Sequence, residues 1–277
     1  MADHLIEVGT GTRLQYRRIG AGEPLLLLMG TAASLGMWMP VEQPLADRFD
    51  VVSFDYRGLG GSERGDGPIT AASLAEDAHA LLDALSIRRA HVIGWSLGSI
   101  AAQELALAHS EQVASLVLYG TWCRLDGVMT ALMTALKYPW ETGDLATALM
   151  TLGVVYSAEF LASPEFETFV AWTTPLAPTT PEQIHTVAEQ WAADLDFDSL
   201  DRIGAITAPT LVLTGERDIV TPPRHGRAVA ERIAGATFEL MTGVGASHGL
   251  LFERTDDFLR TVLTFLEQHP LASEIDL

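Results

Sequence analysis

Short apolar runs alternate along the chain with segments whose hydrophobic positions recur at helical spacing. The runs Pro24–Gly30 (PLLLLMG), Phe49–Asp55 (FDVVSFD), Arg89–Trp95 (RAHVIGW), Val113–Gly120 (VASLVLYG), Ala208–Glu216 (APTLVLTGE) and Ala236–Gly243 (ATFELMTG) read as strands. Unbroken stretches such as Leu25–Met29 fit central strands buried on both faces. Leu5–Val8 and Arg13–Ile19 flank a Gly9–Gly11 turn and predict an N-terminal hairpin. Between the strands, Leu74, Ala78, Leu81, Leu82 and Leu85 share one helical face, and Leu97–His109 and Phe258–Leu266 show the same period. This alternation predicts an α/β fold, a mostly parallel twisted sheet with helices on both faces. The pattern fails between Thr121 and Leu200, which is helical and aromatic-rich, and resumes at Ala208. So long an interruption is expected to be an inserted helical cap. The expected organisation is therefore a core of residues 1–120 and 201–277 with a cap of residues 121–200.

The densest chemical signal is Gly94-Trp95-Ser96-Leu97-Gly98, placed between a predicted strand and a predicted helix. A sharp strand-to-helix turn of this kind strains the serine backbone and presents its hydroxyl at the strand's carboxyl end, beside the N–H groups of the helix. A nucleophilic serine needs a base, and the base needs an orienting acid. Both should follow in the order Ser, Asp, His. Asp218 sits in Gly215-Glu216-Arg217-Asp218, directly after the Thr210–Thr214 run, and His248 lies in Gly245-Ala246-Ser247-His248-Gly249 beyond the last strand. The bland alternatives are a tight glycine turn, a turn-forming aspartate and a lone loop histidine. Asp126, after the Val113–Gly120 strand, is the fallback acid. An anionic tetrahedral intermediate also needs donors, for which Leu97 N–H and Thr31 N–H are the candidates.

Composition narrows the class further. Apolar residues make up 48% of the 277 positions and charged ones 19%, enough to bury a large core. The net charge of −19 disfavours nucleic acid and anionic membranes as partners. A single cysteine, Cys123, rules out an internal disulfide and a thiolate zinc cluster. No basic-then-apolar leader opens the chain, and no apolar run reaches the roughly 20 residues that span a bilayer. A cytoplasmic location and a small-molecule substrate are expected, with no metal and no organic cofactor implied.

With these residues in place the chain resembles the α/β-hydrolase superfamily over nearly all of its length except the cap. Asp55-Tyr56-Arg57-Gly58-Leu59-Gly60-Gly61-Ser62 is similar to the family's D-x-R-G-x-G-x-S loop, where Asp55 and Arg57 are expected to be structural. Many members carry His-Gly at the oxyanion loop, whereas this chain has Met29-Gly30. That pair is similar to the methyl-ester hydrolases that tailor polyketides, and the first half resembles 3-oxoadipate enol-lactonases. Serine at the elbow sets the chain apart from epoxide hydrolases and haloalkane dehalogenases, which use aspartate there. Proline iminopeptidases carry His-Gly-Gly-Pro, absent here. The resemblance implies a carboxylic ester or lactone hydrolase acting through an acyl-enzyme. C–C bond hydrolases, perhydrolases, thioesterases, lyases or cyclases with the same triad stay open, as does a non-hydrolytic binding member.

The cap holds four of the six tryptophans, and eleven acidic residues against Arg124 and Lys137 alone. Trp95, Trp122, Met129, Trp140 and Trp172 are candidate substrate contacts, although packing of cap onto core is the more economical role for most. An acidic lid over an apolar site predicts a bulky neutral ligand. A carboxylate-bearing substrate would require Arg57, Arg124 or Lys137 in the pocket.

Overall fold

The computed structural model describes residues 3–271. Eight strands form one sheet in the order β1-β2-β4-β3-β5-β6-β7-β8. They are β1 His4–Glu7, β2 Arg13–Gly20, β3 Glu23–Leu28, β4 Phe49–Phe54, β5 Ala90–Trp95, β6 Val113–Tyr119, β7 Thr210–Gly215 and β8 Thr237–Met241. The hairpin β1–β2 and the β2–β4 pairing are antiparallel, and all other pairings are parallel. Each apolar run named above thus coincides with a strand, whose ends differ from those of the run by at most two residues.

Side chains alternate across the sheet with period two, which divides one run of leucines between two cores. Leu26, Leu28, Val52, Val92, Leu116 and Leu118 pack on one face, with helices α2 (Ala71–Ala84) and α3 (Leu97–Ala108). Leu25, Leu27, Val51, Ile93, Val117 and Leu213 pack on the other, with α1 (Met39–Ala46) and, at the C-terminal end, α11 (Thr255–Glu267). Helix α1 was not apparent in the sequence because Pro40 and Pro44 both fall within it. Pro40 is tolerated in the first turn, where its missing N–H has no intrahelical acceptor anyway.

Between β6 and β7 the chain forms five helices: α4 Gly127–Glu141, α5 Leu145–Thr151, α6 Ala158–Leu161, α7 Pro164–Thr173 and α8 Pro181–Asp196. This insert lies over the carboxyl ends of the strands, to which it is tied at several points. Gly249 N–H donates to Val155 O at 2.8 Å, Arg64 pairs with Glu189 at 2.7 Å, and Arg217 pairs with Glu159 at 2.8 Å. Three helices complete the described chain: α9 Pro223–Ala230, α10 Leu250–Glu253 and the α11 already given.

The loop after β4 is built around a buried ion pair. Arg57 Nε donates to Asp77 Oδ2 at 2.6 Å, Nη1 donates to Asp66 O at 2.8 Å, and Thr10 Oγ1 donates to Asp77 Oδ1 at 2.7 Å. Asp55 accepts the N–H groups of Leu35 at 2.7 Å and Gly61 at 3.1 Å. Gly60, in the left-handed region at φ 53°, lets the chain pass there, since a Cβ would lie 1.9 Å from Asp55 Oδ2. Both charged residues therefore hold the loop that faces the carboxyl end of β3. Replacing Asp77 by alanine strands the Arg57 guanidinium without its counter-ion. A loss of about 3–5 kcal/mol is expected, read as a lowered urea midpoint at unchanged m.

Candidate active site

Strand β5 ends at Trp95 and α3 begins at Leu97, so a single residue makes the turn between them. That residue is Ser96, at φ 54° and ψ −119°, a conformation that a side chain other than glycine adopts only under constraint. The constraint is visible. Ser96 N–H donates to Tyr119 O on the neighbouring strand at 2.9 Å, while Ser99 N–H and Oγ donate to Ser96 O at 2.8 and 2.6 Å. A Cβ on Gly94 would lie 2.3 Å from Gly98 O, and one on Gly98 would lie 2.1 Å from Leu28 O. The helix can start this close to the sheet only because both positions lack side chains.

Asp218 follows β7 by three residues and His248 follows β8 by seven. Both are buried, and His248 Nδ1–H donates to Asp218 Oδ2 at 2.7 Å. The carboxylate takes three more donors: Val220 N–H and Thr221 N–H on Oδ1 at 2.9 and 2.7 Å, and Thr221 Oγ1 on Oδ2 at 2.7 Å. The histidine is fixed from behind by its own carbonyl, which accepts Trp95 Nε1–H at 3.1 Å and the Tyr119 hydroxyl. Trp95 and Tyr119 flank Ser96 in space and in hydrogen bonding, so the same two residues place the serine and the histidine. Gly120, at φ 61°, turns the chain away beneath the imidazole, where a Cβ would lie 2.8 Å from His248 Cε1.

The loop after β3 forms the opposite wall. A Cβ on Gly30 would lie 3.4 Å from Ser96 Cβ, which brings Gly30-Thr31-Ala32 against the elbow. Strand order reverses between β3 and β5, and the crevice at such a switch point is where open α/β sheets bind ligands. Two residues of α8 hold this loop: Gln190 Oε1 accepts Ala32 N–H at 2.9 Å, and Asp194 Oδ2 accepts the Thr31 hydroxyl at 2.6 Å. Burial pushes the Asp194 carboxyl up to about 7, opposed only by the Thr31 hydrogen bond.

The aromatic candidates separate into two groups. Trp122, Met129 and Trp140 are at most 1% exposed and pack in the core beneath the insert, Trp122 edge-on to Phe197. Their role is packing of the insert, a correction to their reading as substrate contacts. Trp95 and Trp172 belong instead to a continuous aromatic wall. Trp95 meets Phe252 at 5.5 Å between ring centroids, and Phe252 meets Phe169, Tyr156 and Trp172 at 5.3, 6.2 and 6.3 Å. A cleft of about 480 Å³ opens beside this site, between Ala32–Gly36, Gly60 and Leu176–Gln183, without reaching Ser96 or His248. The cations considered for a carboxylate ligand are all paired: Arg57 with Asp77, Arg124 with Asp198 and Asp201, Lys137 with Glu141. Asp126 caps α4 and pairs with Arg224 and His225, away from His248.

Comparison with known proteins places this arrangement. Residues 23–255 match the family model described as the alpha/beta hydrolase fold. The chain belongs to the α/β-hydrolase family. It is 31% identical over 234 residues to a protein of Azorhizobium caulinodans named "Putative carbamate hydrolase RutD", covering 82% of this chain and 86% of that one. A hydrolase from Pseudomonas aeruginosa PA01, of known crystal structure, is 33% identical with a TM-score of 0.82, covering 95% and 97%. The enol-lactonase from Burkholderia xenovorans LB400 is 29% identical with a TM-score of 0.85, covering 95% of this chain and 100% of its own. Like other members of this family, the chain is an enzyme, a hydrolase.

Several residues around the site have no counterpart in the sequence reading: Tyr119, Gly120, Thr221, Gln190 and Asp194. An Asp218-x-x-Thr221 spacing is a recognisable side-chain turn signal. Thr186, Gln190 and Asp194 recur every four residues on a helix whose other buried positions are largely apolar, a polar stripe that periodicity could have exposed. Gly120→Ala tests how tightly the imidazole is placed. Its methyl group would collide with the ring, so turnover should fall by roughly 100-fold, as misplacements of about 1 Å do, with the fold retained by circular dichroism.

Proposed function

We propose that this hydrolase cleaves a carboxylic ester or lactone through an acyl-enzyme, with Ser96 as nucleophile, His248 as general base and Asp218 as the orienting acid. The observation that carries the reading is a serine held in left-handed backbone geometry directly after Trp95, whose indole N–H binds the carbonyl of the same His248 that pairs with buried Asp218. Ser96 Oγ attacks the carbonyl carbon as its proton passes to His248 Nε2. The carbonyl oxygen becomes an oxyanion that accepts from Leu97 N–H and Thr31 N–H. Collapse breaks the ester bond, and the imidazolium gives its proton to the leaving alcohol. Water then attacks the acyl-Ser96 carbonyl, with His248 again taking the proton, and the acid and the free serine are regenerated. Asp218 keeps the Nδ1–H tautomer that leaves Nε2 free to accept.

The aromatic wall from Trp95 to Trp172 supports a bulky apolar substrate, and the pairing of Arg57, Arg124 and Lys137 supports a neutral one. A relative that is an enol-lactonase supports ester or lactone chemistry. Helices α4–α8 act in this reading as the cap over the substrate, and a cytoplasmic location fits it. No helix among the described residues is long and apolar enough to cross a membrane.

Ser96→Ala should lower kcat for p-nitrophenyl esters by about 10⁴-fold or more while the fold persists, and a fluorophosphonate probe should add its mass to Ser96 in the wild type only. His248→Ala should lose nearly as much, Asp218→Asn less, and double variants little further, because the three act as a unit. Full turnover by folded Ser96→Ala would overturn the assignment. Among matched substrates, a neutral ester with a large apolar acyl group should show the higher kcat/KM than one bearing a free carboxylate.

A further inference from the structure

Helix α8 presents Thr186, Gln190 and Asp194 one turn apart, all buried. Two of them bind consecutive residues of the loop after β3, Gln190 holding Ala32 N–H and Asp194 holding the Thr31 hydroxyl. The loop needs holding, because Ala32 is left-handed at φ 63° without being glycine. Among the described residues, neither side chain is fully satisfied. Asp194 Oδ1 and Gln190 Nε2 make no hydrogen bond, nor does the hydroxyl of Tyr56, which is buried and within electrostatic reach of Asp194.

From this arrangement we propose that Asp194 is a positioning residue for the Thr31 oxyanion donor, and that it supports turnover only while its carboxyl is protonated. The inference rests on the assignment of Ser96 and Thr31 above. The neutral carboxyl accepts the Thr31 hydroxyl and fixes the loop without adding charge. The carboxylate places a full negative charge behind the very residue whose N–H must meet a developing oxyanion, in a site that water does not screen. The ionised acid and the oxyanion would then repel each other across Thr31.

Among the described residues, no cation pairs with this carboxylate. Tyr56, on the β4 loop, faces Asp194 and is itself pushed well above the usual phenol range by burial. Beyond it, Asp77 is paired with Arg57. From α4 the buried residues are apolar (Met129, Met133, Leu136), and α3 contributes Glu104, paired with Arg202. On α8 itself Glu189 is paired with Arg64, and His185 and Asp196 are exposed. Burial leaves Asp194 at about 7, so its ionisation falls in the working range.

The sign follows. A carboxyl raised in the folded state holds its proton longer than in the unfolded chain, so stability declines as pH rises from about 4 to about 7 and stays lowered above that. An asparagine cannot ionise. The margin by which the Tm of Asp194→Asn exceeds wild type should therefore widen between pH 5 and pH 8.

The deciding experiment follows p-nitrophenyl butyrate hydrolysis and the rate of fluorophosphonate labelling of Ser96 from pH 5 to 9 in wild type, Asp194→Asn, Asp194→Leu and Thr31→Val. In wild type kcat should drop about tenfold per pH unit on the alkaline side, as the protonated fraction does above its midpoint. Asp194→Asn, which still accepts the Thr31 hydroxyl, should keep KM but lose the alkaline limb. Asp194→Leu and Thr31→Val should lower kcat about tenfold below pH 7 with KM little changed, and Asp194→Leu should show no alkaline limb. An alkaline limb that is missing in wild type, or retained in Asp194→Asn while Ser96 is still labelled, overturns the role of Asp194 alone. Absence of any Ser96 adduct in wild type overturns the serine mechanism and this inference together.

Discussion

No side chain fits where the end of β3, the end of β5 and the first turn of α3 converge, and the rest of the molecule is arranged around that exclusion. Gly94 and Gly98 stand back to back there, each within collision distance of backbone if given a Cβ. Bringing the helix so close to the strand leaves one residue to make the turn, and Ser96 absorbs the whole of it in a left-handed conformation costing about 1–3 kcal/mol. The cost is offset locally by hydrogen bonds to Tyr119 and Ser99 and globally by the two cores that clamp the sheet. The elbow is thus fixed from the sheet, the helix and the neighbouring strand at once.

Two buried aspartates show how the same residue type is given different work by its donors. Asp218 is met by four, from His248, Thr221 twice and Val220, which together fix both oxygens. Asp194 is met by one, from Thr31, and its other oxygen is bare. The first environment satisfies both oxygens and ties the carboxyl group to the His248 ring. The second penalises charge, because burial removes water without replacing its hydrogen bonds.

What could be read in advance followed from periodicity and from residues whose chemistry demands a fixed context. Runs such as Leu25–Met29 declared central strands, and Gly94–Gly98 declared the strand-turn-helix because only glycines at those two positions permit it. Helix α1 escaped because its prolines mask a helical period. The aromatic residues of the insert escaped for another reason: Trp122 and Trp140 look like Trp172 in composition, and only the third dimension separates those sealed in the core from one on the aromatic wall. Asp194 and Gln190 act across more than 150 residues of chain, on Thr31 and Ala32, a pairing with no local signature.

The insert leaves the sheet after β6 and returns to it at β7, and these two strands are direct neighbours in register. Its entry and exit are thus set side by side by the ladder of hydrogen bonds, whatever the length of chain between them. Lengthening such an excursion costs entropy only with the logarithm of its size, about 0.6 kcal/mol per doubling. The helical segment can therefore change in length without moving a strand, provided that α8 keeps its hold on Thr31 and Ala32.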